Sequence, residues 1–261
     1  MPTRLSVQPI SSFPPVFKMK KNSYKVFIND NGSSAAEIAA LKKLEKKHEN
    51  IIINYRISHA GSRAHAEALD ILISMADTPY AVVLDSDCTF LRKHWDKLML
   101  SCIDEKTKIV GAATPVQRAG KRIGGGSFPL SFAVLFETHI YKELDISCLP
   151  GDITKGEDTC WQWEHKFINA GYRGHSFIAH NTRDYKNGLF KDFVGVEEYY
   201  YNEDTLLAAH FGRGSSLGGA KYLKWLRIPF ISKLVKQHIG KWDKRRWIAR
   251  CYDIINQQIK A

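Results

Sequence analysis

The stretch YAVVLDSD, residues 80–87, places an apolar run directly before two carboxylates that are one residue apart. A short apolar run that ends in a polar turn is typical of a strand buried on both faces. In open α/β sheets, ligands bind at the carboxyl ends of the strands. Asp85 and Asp87 therefore form a predicted site for a divalent cation that bridges phosphates. The alternative is that both carboxylates only cap the segment that follows.

The residues before this stretch alternate between strand and helix patterns. Residues 24–29 and 51–55 are compact apolar runs that predict two further strands. Ser34 and Glu37 form a capping box, which predicts the start of a helix between them. Residues 64–75 carry an apolar stripe at helical spacing and lead into the strand at 80–84. This order predicts an α/β fold with a mostly parallel central sheet flanked by helices.

The pattern changes beyond Asp87. Residues 108–116 and 131–137 read as strands, with the glycines of 124–126 between them as a flexible loop. Residues 159–170 predict a short helix that ends at Gly171. This half of the chain mixes strands with loops, as expected where a second substrate must be fitted.

Composition limits the class of protein. The chain has 261 residues, 44% hydrophobic and 25% charged, which predicts one substantial core and argues against disorder. Its five Cys include no C-x-x-C pair, so neither a disulfide framework nor a zinc knuckle is indicated. We find neither a secretory leader nor an apolar stretch of membrane-spanning length. A reduced, cytoplasmic setting is therefore expected.

Most of the net charge of +11 lies at one end of the chain. Residues 217–261 hold seven Lys and four Arg against two Asp, and so contribute +9. We therefore predict a catalytic domain at 1–216 and a basic amphipathic helical tail at 217–261, with a first helix that ends at Gly240. Basic residues opposite Trp and Phe are typical of a helix at an anionic membrane surface, such as the inner face of the membrane. The alternative is that the tail packs its apolar side on the catalytic domain, which need not exclude binding to a membrane.

Four short segments occur in a characteristic order: DNGS at 30–33, DSD at 85–87, GED at 156–158 and HFGRGS at 210–215. In their order and spacing the chain resembles the family 2 glycosyltransferases of the GT-A, Rossmann-like fold, from about residue 24 to 215. The resemblance implies a metal-dependent, inverting hexosyltransferase of polysaccharide biosynthesis. The expected donor is a nucleotide sugar, most often a UDP-sugar in this family, and the acceptor is a hydroxyl of a glycan or lipid-linked saccharide.

The chain departs from the family at its N-terminus. Members open with a strand that reads roughly V-V-I-P-T-Y-N, and its end contacts the base. Residues 1–23 lack that run. Either residues 5–10 are a divergent first strand, or the strand is absent and the donor site is incomplete, which would leave a weakly active or inactive protein.

The resemblance also implies a ligand set for the metal. Asp87, the second acid of the D-x-D, would ligate the cation, Asp85 would contact the ribose or support the site, and His210 would complete the coordination. Mixed carboxylate and imidazole ligation favours Mn²⁺ over Mg²⁺. The alternative for His210 is an ordinary surface histidine.

The acceptor hydroxyl must lose a proton as it attacks the anomeric carbon, and one carboxylate opposite the leaving group suffices for this. Asp158 matches the family's catalytic base, and Glu157 would orient the acceptor. A position at the start of the 159–170 helix would favour the anionic form of Asp158, because of the helix dipole. The alternative is that both acids only cap that helix.

Four further residues are candidates for binding the donor. Asp30 matches the family's contact to the nucleobase or ribose, unless it only forms a turn. Arg63 and His65, at the start of a helix, would face the phosphates, with a packing role as the alternative for His65. Arg213 lies between two glycines, and its loop would close over the diphosphate with the guanidinium inward.

Two other classes of function remain open. A sugar-nucleotide nucleotidyltransferase also uses metal-binding Asp residues, but that class begins with a Gly-rich loop, and this chain has no glycine before Gly32. A nucleic-acid-binding protein would use the basic, aromatic tail. That reading leaves the acidic cluster unexplained, because carboxylates repel phosphates unless a cation intervenes, so no nucleic-acid partner is expected.

Overall fold

The computed structural model describes residues 23–56, 61–115, 117–118, 121–122, 128–212 and 229–260. Strands and helices alternate through the first half of the chain, strands dominate the second half, and one long helix ends it. In chain order the elements are β1 (Val26–Asn31), α1 (Ala35–Lys47), β2 (Ile51–Arg56), α2 (Ser62–Ser74), β3 (Tyr80–Leu84), β4 (Cys88–Phe90), α3 (Trp95–Leu100), β5 (Thr107–Gly111), β6 (Gln117–Arg118), β7 (Lys121–Arg122), β8 (Ala133–Glu137), α4 (Thr138–Glu143), α5 (Gln162–Asn169), β9 (Arg173–Ser176), β10 (Ile178–Asn181), β11 (Glu197–Asn202), β12 (Thr205–His210) and α6 (Pro229–Lys260).

The predicted alternation of strands and helices before Asp85 is confirmed, but β3 is not buried on both faces as predicted, because Tyr80 and Val82 are 40% and 38% exposed. β1 and β2 pair in parallel, and α1 connects them. The capping box is present: the Ser34 side chain accepts from the Glu37 N–H at 3.4 Å, and the Glu37 carboxylate accepts from the Ser34 N–H at 2.8 Å. α1 then presents Leu41 and Leu44 to the strands, as its periodicity predicts.

A four-stranded sheet in the order β3-β8-β5-β9 forms the centre of the molecule. Three of its four strands, β3, β5 and β9, run in one direction, as predicted for a mostly parallel sheet. β8 runs against them between β3 and β5, so within this sheet only β5 and β9 pair in parallel. Successive residues of its strands point to opposite faces. One face, which includes Val83, Ile109 and Phe136, packs against helices α2, α4 and α5. The other face, which includes Val110 and Leu135, packs against a second sheet and α6.

The second sheet, in the order β10-β11-β12-β4, is antiparallel. β4 begins at Cys88, only four residues after β3 ends at Leu84. The segment 85–87 is therefore the crossing from the central sheet to the antiparallel sheet. This crossing places the D-x-D segment between the two sheets.

Some predicted boundaries are wrong. The strand predicted at 108–116 ends at Gly111, where the backbone approaches β8 so closely that a Cβ would lie 2.4 Å from the Ala133 carbonyl oxygen. The helix predicted at 159–170 begins only at Gln162, and it is followed by Gly171 in the left-handed region. The predicted glycine loop at 124–126 lies outside the described residues.

Helix α6 does not end at Gly240 but continues to Lys260. Glycine inside a helix costs about 1 kcal/mol relative to alanine. Packing outweighs this cost, because Trp247, Cys251, Ile254 and Ile255 all enter the core that also contains β4 and β12. The C-terminal half of α6 thus belongs to the same core as the sheets. Among the helices in the described ranges, none combines the length and apolar character that crossing a bilayer requires.

The core role of α6 predicts a clear stability difference between two of its tryptophans. Trp247 is 4% exposed, and its ring packs against that of Phe211 with centroids 5.6 Å apart and the ring planes inclined by 49°. Trp242 is 54% exposed. Trp247→Ala is expected to lower the free energy of unfolding by about 3–5 kcal/mol, because it removes a buried aromatic side chain. Trp242→Ala, the matched control, should change it by less than about 1 kcal/mol. Urea denaturation of both variants measures this, and equal losses would contradict the docking of α6.

Candidate active site

Asp85 and Asp87 are held by backbone contacts to both sheets. The Asp85 N–H donates to the Phe132 carbonyl at 2.9 Å, next to β8, and the Cys88 N–H donates to the Asp85 carbonyl at 2.9 Å. The two side chains are only 19% and 15% exposed. The turn predicted from the sequence is therefore a fixed loop whose carboxylates are largely removed from bulk water.

His210 comes to this loop from the other end of the chain. It is the last residue of β12, where it lies opposite Cys88 in β4, and the Phe211 N–H donates to the Asp87 carbonyl at 2.7 Å. His210 Nε2 lies 3.2 Å from Asp87 Oδ1 and 4.0 Å from Asp85 Oδ2. The alternative of an ordinary surface histidine does not hold, because the side chain is buried.

The imidazole of His210 is fixed on its other sides. The Phe132 ring stacks on it with centroids 4.6 Å apart. Gly212 has φ of +59°, and a Cβ there would lie 3.3 Å from Nδ1, so glycine permits both the backbone conformation and the close approach. Glu197 Oε2 lies 3.7 Å from Nδ1, which is longer than a normal hydrogen bond, so that attraction is mainly electrostatic.

Glu197 is a buried carboxylate that the sequence analysis missed. It accepts hydrogen bonds from the Tyr199 hydroxyl at 2.9 Å and from the Asn181 amide at 3.3 Å. A carboxylate on the far side of a metal-binding histidine typically orients the ring and raises its basicity. Tyr199 itself is fully buried in the core.

The electrostatics of the three residues are strongly coupled. Burial is the main cause that raises the pKa of Asp85 to about 6. Burial also acts to raise the pKa of Asp87, but the hydrogen bond and charge of His210 lower it overall. For His210 burial acts to lower the pKa, and the contacts with Asp87 and Glu197 outweigh burial and raise the pKa to about 10. Without a metal, His210 is thus a cation that compensates the carboxylates.

These residues fit a divalent cation. One donor atom from each of Asp85, Asp87 and His210 lies within 4.8 Å of the others. Two carboxylates and one imidazole suit Mn²⁺, and they suit Mg²⁺ less well because Mg²⁺ prefers oxygen ligands. The imidazole would have to release its proton to bind a metal, so metal binding would be coupled to deprotonation of His210.

The structure brings one predicted donor-binding residue to this group. His65, in the first turn of α2, has its Nε2 3.8 Å from Asp85 Oδ1. Arg63 is 74% exposed and pairs with Glu67 on its own helix at 3.2 Å. Asp30 is buried at the end of β1 and accepts from the Ser33 N–H at 3.4 Å, which closes the predicted turn. Arg213 lies outside the described residues.

Asp158 and Glu157 lie in the loop before α5. Asp158 is exposed and accepts from the Thr159 N–H at 2.8 Å, and the Thr159 hydroxyl donates to the Ser62 carbonyl at 3.3 Å. The loop therefore contacts the first turn of α2, the turn that carries His65. Because α5 begins four residues after Asp158, the expected position at the helix start is wrong, and the helix dipole has little effect there.

Glu157 has a structural role in that loop. Its carboxylate accepts from the Asp152 N–H at 2.7 Å, and its carbonyl accepts from the Gly151 N–H at 2.9 Å. These bonds close the loop around the 3₁₀ turn at Ile153–Lys155. The carboxylate of Asp158, in contrast, accepts hydrogen bonds only from Thr159 among the described residues, and it is exposed to solvent.

Comparisons with known proteins bear on the family and the fold of the chain. Residues 15–168 match the model of Glycosyl transferase family 2. Among solved structures, the mannosyltransferase PcManGT from Pyrobaculum calidifontis in complex with GDP-Man and Mn²⁺ is similar, with a TM-score of 0.51 and 16% identity over 68% of this chain and 53% of that chain. The chain thus spans about half the length of PcManGT, and at this identity the similarity shows the fold alone. No curated protein matches the sequence.

Proposed function

Since the chain belongs to glycosyl transferase family 2, we propose that it transfers a sugar from a nucleoside-diphosphate sugar to a hydroxyl acceptor, with a divalent cation held by Asp85, Asp87 and His210. The observation that carries the proposal is the meeting of these three side chains, within 4.8 Å, at the crossing between the two sheets. Two carboxylates this close and this buried need a compensating positive charge, which protonated His210 supplies without a metal and which a divalent cation would supply once His210 is a neutral ligand. The same cation would compensate the negative charge of the donor's diphosphate.

The residues of the site would share the work as follows. Asp87 and His210 supply a carboxylate and an imidazole ligand, and Asp85 supplies a second carboxylate. Glu197 would attract the remaining ring proton of His210 on Nδ1, and so direct Nε2 toward the cation. A cation bound there acts as a Lewis acid that neutralises the charge of the departing diphosphate.

Asp158 is our candidate for the base. It would accept the acceptor's hydroxyl proton while the oxygen forms a bond to the anomeric carbon and the bond from that carbon to the diphosphate breaks. Attack from the face opposite the leaving group inverts the anomeric configuration. Its exposed position and the contact of its loop with α2, next to the metal group, support this role.

The identities of the donor and acceptor are further parts of the proposal. Uracil is the base expected from the family, but PcManGT was solved with GDP-Man, so both bases must be tested. We propose a glycan or lipid-linked saccharide as the acceptor. The exposed Trp242, beside Arg246 at 4.5 Å on α6, is a candidate contact to an anionic membrane that presents such an acceptor.

A thermal-shift experiment tests the proposed function. The protein is mixed with UDP, GDP, their sugar conjugates or the parent nucleosides, each with and without Mn²⁺. We expect nucleoside diphosphates to raise the melting temperature only with Mn²⁺, because the cation compensates the charge of the diphosphate. At 100 times its Kd, a ligand stabilises the fold by about 2.7 kcal/mol, which is large enough to measure. Nucleosides should have little effect.

Three outcomes would contradict the proposal. Stabilisation by random oligonucleotides without metal would indicate a nucleic-acid-binding protein. Pyrophosphate release from a nucleoside triphosphate and a sugar phosphate would indicate a nucleotidyltransferase. The absence of any shift with every diphosphate would indicate that the fold has lost its donor site.

A further inference from the structure

Lys244 on α6 is a buried lysine, only 7% exposed. Lysine is almost never buried to this degree unless its charge is compensated, because removing an ammonium from water is costly. Lys244 lies within the basic tail predicted at 217–261. Its burial therefore requires an explanation that the fold alone does not give.

The helix face that carries Lys244 lies against the metal group. Lys244, Trp247 and Cys251 are spaced at i, i+3 and i+7, so they share one face of α6. Trp247 packs on Phe211, the neighbour of His210. Cys251 is in the same buried cluster as Cys88, the neighbour of Asp87. Lys244 and Trp247 are three residues apart on the helix, which corresponds to a rise of about 4.5 Å.

The charge of Lys244 acts on Asp87. Burial lowers the pKa of Lys244, while the negative charge of Asp87 opposes that change. In turn, the charge of Lys244 is one of the causes that lower the pKa of Asp87. Among the described residues, the ion pair of Asp87 is with His210, at 3.2 Å from Oδ1, and not with Lys244. Lys244 is thus a buried basic group whose charge interacts with that of Asp87.

A donor diphosphate would need such a charge. A divalent cation compensates the two carboxylates, so the diphosphate still lacks positive partners, and more so as it leaves. Lysine is a common phosphate ligand that acts as a compact point charge. We propose that Lys244 binds the diphosphate of the nucleotide donor and stabilises it as the leaving group. This inference rests on the proposed function and adds a residue to its donor site.

The positive charge of Lys244 should weaken Mn²⁺ binding and strengthen diphosphate binding, so removing it should change the two affinities in opposite directions. In Lys244→Met, Mn²⁺ binding without nucleotide, measured by electron paramagnetic resonance, should be unchanged or tighter, because a like charge is removed. Binding of UDP or GDP at saturating Mn²⁺, measured by calorimetry, should weaken by about 10- to 100-fold, the size of a charge-assisted hydrogen bond. Lys241→Met, an exposed lysine on the same helix, is the control and should change neither.

Two further measurements keep the test decisive. Lys244→Arg retains the charge and should recover part of the diphosphate affinity if the role is electrostatic, even if Lys244→Met folds poorly. Equal affinities of wild type and Lys244→Met for the diphosphate would overturn the inference, as would equal losses for Mn²⁺ and diphosphate. If the wild type itself binds neither ligand, the proposed function fails instead, so the two failures are distinguishable.

Discussion

Asp87→Asn is expected to lower Mn²⁺ affinity by more than about 100-fold, since changing residues that only support a metal ligand already costs 10- to 100-fold. The amide keeps the shape of the side chain but removes its charge. The contact of Oδ1 with His210 Nε2, at 3.2 Å, would thereby lose its charge assistance. Mn²⁺-dependent nucleotide binding and sugar transfer should be lost together, because both use the same cation. Titration of free Mn²⁺ by electron paramagnetic resonance measures the first loss directly.

The control for this variant is Asp253→Asn, an exposed acid on α6 that changes the net charge equally. It should leave Mn²⁺ affinity within about twofold, the range expected of a distant surface charge. Circular dichroism of Asp87→Asn serves to check that the variant is folded. Unchanged Mn²⁺ affinity in a folded Asp87→Asn variant would remove Asp87 from the ligand set.

Asp158→Asn is expected to reduce the transfer rate by about 10²- to 10⁴-fold, the usual contribution of a general base. Mn²⁺ and nucleotide affinity should stay at the wild-type level, because the side chain binds within its own loop and not to the metal group. The measurement is a single-turnover rate with the donor saturating, beside calorimetry of the same variant. A lower kcat at constant donor affinity separates a base from a residue that binds the donor.

Glu164→Gln is the control for Asp158→Asn, since Glu164 is an exposed acid in the first turn of α5, close in sequence to the loop. It should transfer sugar at the wild-type rate. A retained rate in Asp158→Asn would mean that another group takes the proton. A loss of nucleotide affinity would instead assign Asp158 to the donor site.

The first half of the fold is readable from the sequence because each element carries its own signal. The apolar run before Asp85 is short enough for a strand, and the Ser34–Glu37 capping box marks the start of a helix. Residues at 24–84 thus show strand and helix in regular alternation. Such local signals predict the parallel strands and the helices between them without knowledge of the contacts.

The antiparallel sheet and the course of α6 are not readable in this way. β4 has only three residues, and β11 begins with Glu197 and Glu198, which a linear pattern assigns to solvent although both are buried. Their carboxylates are compensated by partners elsewhere, such as the Phe190 N–H at 2.8 Å from Glu198. Gly240 is a plausible helix end by propensity, and only tertiary packing carries α6 past it.

The same limit applies to the site. The position of Asp85 and Asp87 at a strand end predicts a ligand site from physical reasoning alone, whereas the role of His210 came from the family resemblance. Glu197 and Lys244 were missed, because the burial of a charged residue depends on what packs over it.

The pairing of β4 with β12 has a consequence for biogenesis. Asp87 and His210 are separated by 123 positions along the chain, and their proximity depends on a ladder that joins distant parts of it. Contacts of such high contact order are slow to form, since a large loop must close first. A nascent or truncated polypeptide that lacks the second partner has no complete ligand set. Mn²⁺ would then bind at this site only after the chain has been synthesised through β12 and β12 has paired with β4.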